Sequence, residues 1–128
     1  TPELKMKKFA MVLAALLTGL STHALAHGDA KAMHGGIVQV ASDIQYELVA
    51  QQDGAALYVV DHGKPADVGA MSGKLTVLNG TQKSEAALKP AGGNKLEAVQ
   101  VRIAAGSKVV ARIDGADGKA TTVRFVIK

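Results

Sequence analysis

With 128 residues and no cysteine, the chain has room for one hydrophobic core and cannot build disulfides, thiolate metal sites or a cysteine nucleophile. Aromatic residues are only 3% and tryptophan is absent, which excludes a wide aromatic-lined pocket and leaves Val, Ile, Leu and Ala to form the core. Half of the +4 formal charge comes from Lys5, Lys7 and Lys8 against Glu3, and Arg102, Arg112 and Arg124 stand singly, so nucleic acid is not an expected partner.

Met6-Lys7-Lys8 opens an apolar run from Phe9 to Leu20, followed by Ser21-Thr22-His23-Ala24-Leu25-Ala26. A basic start, an apolar middle and a small-residue A-x-A ending spell a secretory signal peptide. The apolar run is shorter than the roughly 20 residues a membrane-spanning helix needs, so no membrane insertion is expected after cleavage. Residues 1–26 are therefore expected to be removed, with 1–5 as an upstream extension of the leader. Cleavage after Ala26 exposes His27 as the new amino terminus, and the working protein is expected outside the cytoplasm.

Residues 27–36 are short, polar and rich in His, Gly and Ala, which predicts a flexible arm. The domain is expected over 37–128. Short apolar alternations at 37–40, 44–50 and 57–60 read as strands, and Gly63 and Pro65 stop the third. A strand at 75–78 runs into Asn79-Gly80, a dipeptide suited to a tight hairpin, and returns through Ala86 and Leu88. After the reversal at 90–94, residues 96–103 read as one strand whose apolar parity shifts between Ala98 and Val99, as a bulge would produce. Val109, Ala111 and Ile113 then pair with Val123, Phe125 and Ile127 across a Gly- and Asp-rich turn. The pattern predicts an all-β domain, a small immunoglobulin-like β-sandwich of about seven to eight short antiparallel strands.

No serine has a nucleophile-elbow setting, and Asp114 and Asp117 fall short of a calcium loop. The groups able to carry chemistry are imidazoles and thioethers. His27, Met33 and His34 lie together on the arm, and His62 sits in the turn Asp61-His62-Gly63. Imidazole suits copper, zinc and nickel, while thioether suits Cu(I), so Met33 beside His34 favours copper. The free amine and imidazole of His27 with one further imidazole, from His34 or His62, would give Cu(II) three nitrogens. Each histidine taken alone reads more readily as a surface or turn residue than as a ligand.

The strings Met33-His34-Gly35-Gly36, Tyr46-Glu47-Leu48-Val49, Asp61-His62-Gly63-Lys64-Pro65 and the stretch from Leu88 to Leu96 resemble a small periplasmic domain associated with bacterial heavy-metal efflux. That domain occurs free-standing or at the N-terminus of the periplasmic adaptor subunits of metal-exporting tripartite pumps. The resemblance implies work near copper, or alternatively zinc, cobalt or nickel, with His34 and His62 as the matching positions. His27 lies outside the matching strings.

The expectation is a periplasmic transition-metal-binding protein, not an enzyme, that buffers copper or passes it to an efflux system. Two rivals stand beside it: a metal-free β-sandwich interaction module docking on an envelope protein, and a copper enzyme built on an N-terminal His brace, which the low aromatic content disfavours.

Overall fold

A computed structural model describes residues 31–128; the segment expected to be a leader, its expected cleavage point and His27 lie outside the described residues. Nine strands and no helix occur among them: β1 (Ile37–Ala41), β2 (Ile44–Gln51), β3 (Gly54–Asp61), β4 (Lys64–Pro65), β5 (Ser72–Asn79), β6 (Gln82–Pro90), β7 (Lys95–Val99), β8 (Lys108–Asp114) and β9 (Ala120–Val126). The class is all-β, as the alternation predicts. The extra strand is β4, two residues that pair with the end of β3 across the His62-Gly63 turn. Pro65 sits there without cost because the pairing is too short to need its missing donor.

All pairings are antiparallel, and the strand order is β1-β2-β3-β7-β6-β5-β8-β9, with β4 on the side of β3. Strand β6 joins two layers. Residues 82–88 pair with β5, whereas only Lys89 and Pro90 pair with β7, so β6 leaves one layer and hands over to the other at its end. One layer holds β1, β2, β3 and β7, and the opposite layer holds β5, β6, β8 and β9.

The period-two alternation places Tyr46, Leu48, Leu57, Val59 and Leu96 inward from the first layer, against Leu75, Val77, Leu88, Val109, Ile113 and Phe125 from the second. Aliphatic side chains and Phe125 fill this space, as a chain without tryptophan requires. Tyr46 is the exception, a buried ring with a polar end; its hydroxyl is hydrogen-bonded to Thr121 of β9, linking the layers where β1 and β9 lie side by side.

Two local expectations are corrected. The β5–β6 hairpin turns on Gly80-Thr81, with Asn79 paired to Gln82, one residue later than Asn79-Gly80. Only Gly80 has positive φ (62°), which is the type II′ requirement for glycine at the first central position. The parity shift after Ala98 is a strand end, not a bulge: β7 stops at Val99, and Gln100 adopts a left-handed backbone (φ 58°) while its N–H donates to the Asp53 carbonyl at 2.9 Å. The reversal lets Val101 return to the core.

Candidate functional site

On the outward face of β2, Glu47 stands opposite Val38 of β1 and Tyr58 of β3. An outward glutamate on a surface sheet is ordinarily solvated, yet Glu47 is only 5% exposed. What covers it is the chain just before β1. The Glu47 carboxylate accepts the backbone N–H groups of Met33 (3.0 Å), His34 (2.8 Å) and Gly36 (2.8 Å), and the His34 Nδ1 lies 3.1 Å from its Oε1. Residues 33–36 thus form a strap across the β2–β3 ribbon.

The two glycines of the strap have separate reasons. Gly35 is left-handed (φ 74°), a conformation that turns the chain so that the amides on either side of it converge on one carboxylate. Gly36 lies so close to β2 that a Cβ there would strike the Leu48 carbonyl oxygen. His34 completes the strap by stacking flat on Tyr58, with ring centroids 3.6 Å apart and planes within 4°.

Burial pushes the Glu47 carboxyl up, but the backbone donors of Gly36, His34 and Met33 and the His34 ring outweigh it and hold the group below its ordinary value. It is an anion at neutral pH, and Nδ1 of His34 is the natural proton donor to it. That tautomer leaves Nε2 with the free lone pair, on a side chain still 42% exposed. A carboxylate behind one imidazole nitrogen is the arrangement that orients metal-binding histidines and raises their basicity.

The other predicted ligands are distributed unevenly. Met33 lies beside His34 in the strap with its side chain on the surface, at 77% exposure. His62 is elsewhere: it occupies the turn after β3 with positive φ (51°), fully on the surface, bonded through Nδ1 to Asp61. That hydrogen bond, with the charges of Asp61 and Asp43, raises its pKa. Tyr58, which supports His34, is three strand residues before Asp61, a separation of roughly 10 Å along the ribbon. His34 and His62 are not brought together, and among the described residues no three His, Asp or Glu side chains converge into a metal-holding group.

Glu47 and Tyr58 are the site residues that sequence reasoning missed. Their one signal was a charged residue at the centre of Tyr46-Glu47-Leu48-Val49, which alternation assigns to an ordinary polar face. Asp114 is paired with Arg112, and Asp117 accepts the Lys119 N–H at 3.0 Å, so both have structural work in and beside the last turn.

No protein-family model, curated protein or solved structure matches this chain.

Proposed function

We propose that the protein is a periplasmic transition-metal-binding protein, with copper the favoured ion, that buffers the metal or hands it to an efflux system. The observation that supports this reading is the His34 side chain: Nδ1 lies 3.1 Å from the Glu47 carboxylate and the ring lies on Tyr58, so the tautomer that donates Nδ1–H to Glu47 presents its Nε2 lone pair to a ligand. Met33 next to it adds an exposed thioether, a donor that suits Cu(I). The described residues supply two donors, and His27, once the leader is removed, would supply further nitrogens. An incomplete, surface-lying donor set favours exchange over permanent storage. Binding weakens as pH falls through the histidine range, because a protonated imidazole has no lone pair to give.

The test is titration of the chain beginning at His27 with Cu(II), Cu(I), Zn(II) and Ni(II). The expected result is one-to-one copper binding that His34→Ala abolishes, that Glu47→Gln weakens by about 10- to 100-fold, and that His62→Ala leaves unchanged. No ion bound tighter than the micromolar range, or an unchanged affinity in His34→Ala, overturns the reading.

One observation favours a metal-free interaction module instead. Three backbone amides and a stacked ring already engage Glu47 and Tyr58, so holding the strap is a sufficient role for both. In that case His34→Ala and His62→Ala leave partner binding intact.

A further inference from the structure

The two outward faces of the domain differ in charge. Around the strap the outward charged side chains of β2 and β7 are Glu47, Lys95 and Glu97. On the opposite layer the strand registers align the outward residues into rows. Lys83, Leu78, Lys108 and Val126 form one row across β6, β5, β8 and β9; Glu85, Thr76, Val110 and Arg124 form the next; Ala87, Lys74, Arg112 and Thr122 the third. The intervening rows, such as Val77, Val109 and Phe125, face the core, which confirms the parity. Five cations therefore share three rows with one carboxylate, and Asp114 follows on the next.

Those two carboxylates are already engaged, Glu85 by Lys74 and Asp114 by Arg112. Among the described residues Lys83, Lys108 and Arg124 make no close ion pair, and of the three only Lys83 is felt at Glu85, through its charge and without contact. They gather at the end of the sheet near the Gly80-Thr81 turn, where Leu78 and Val126 are 37% and 60% exposed. The first row alternates cation and aliphatic over roughly 14 Å, taking the spacing between neighbouring strands.

We infer that this face docks on the surface of an anionic phospholipid bilayer. Charge complementarity points to a polyanion, and the pattern selects among polyanions. Leu78 and Val126 gain nothing against a phosphate backbone but can enter the headgroup boundary while the neighbouring lysines stay at the phosphates. No aromatic side chain lies in the three rows, so stacking on single-stranded nucleic acid has no platform there. The inference is independent of the metal reading, since none of these residues touches the strap.

The test is co-sedimentation of the full chain with phosphatidylcholine vesicles, with or without roughly 30% phosphatidylglycerol, at about 0.1 M and 0.5 M salt. Phosphatidylglycerol-dependent binding that high salt reverses and that Lys83→Glu with Lys108→Glu reduces about tenfold or more is expected. The apolar run at 9–20 is common to both proteins, so the difference between them reads the sheet face. Because the chain has no cysteine, an environment-sensitive dye can be placed singly by Leu78→Cys or Val99→Cys. The dye should shift on vesicle binding at position 78 and not at 99. Absence of phosphatidylglycerol-dependent binding, an unaltered double variant, a response at 99 in place of 78, or retention by duplex DNA without vesicle binding each overturns the inference.

Discussion

Glu47 shows how a single residue changes character when a neighbouring segment folds over it. Its folded pKa lies below its ordinary value of 4.5, so its contribution to stability is full above that value and is lost as pH falls through the folded pKa. Glu47→Gln removes the charge from four donors in a nearly dry setting, and the expected loss is about 1–3 kcal/mol at neutral pH. Urea unfolding should show the gap between wild type and variant narrowing as pH falls below 4.5 and through the folded pKa, because the native side chain then becomes protonated too. A constant gap across that range would assign the loss to packing.

His62 has the opposite sign. Its pKa is raised by the Asp61 hydrogen bond, so the pairing favours the folded form at pH below the ordinary histidine value of 6.5 and is lost as pH rises through the folded pKa. An NMR titration of the ring should show His62 titrating above 6.5, and Asp61→Asn should bring it down. A titration unmoved by that change would rule out Asp61 as the cause.

At the level of elements, turns decide where each strand pair closes. The β1–β2 and β3–β4 turns place Ser42-Asp43 and His62-Gly63 at positive φ, so three residues other than glycine accept a conformation that glycine adopts freely. These turns match the twist of the ribbon, which is why they persist despite the backbone cost. In the β5–β6 hairpin the same demand falls on Gly80 alone. Gly80→Ala, with open space around the added Cβ, should destabilise by about 1–2 kcal/mol through backbone strain, measured by thermal unfolding. Asn79→Ala should cost much less, since Asn79 is the closing strand residue and carries no positive φ.

For the whole molecule, the core is a single aliphatic slab between two layers joined through β6. Phe125, at 1% exposure, is its largest fully buried side chain. Phe125→Ala should cost about 3–5 kcal/mol, a large share of the 5–15 kcal/mol typical of a domain this size, and should lower the melting temperature by more than about 12 °C. The variant serves as a folding control for the surface changes. Lys83→Glu, Lys108→Glu and His34→Ala alter exposed or half-exposed side chains and should leave the melting temperature much closer to that of the wild type.

The amino-acid sequence by itself determined the all-β class, the start of the first strand at Ile37 and the inward faces of β2, β8 and β9, because period-two alternation and turn residues act locally. The tertiary structure decided the rest. The register at Asn79 was settled by pairing along the whole of β5 and β6, and the end of β7 by the Gln100 bond to Asp53, which alternation does not encode. The candidate site was half legible: Met33 and His34 stood out as donors, while Glu47 and Tyr58 did not. A strand residue's outward face is written in its position, but whether that face meets water depends on a segment 11 to 14 residues away folding back across it. The basic face arose in the same way, from single Lys and Arg residues on four strands that only the sheet registers bring into one plane.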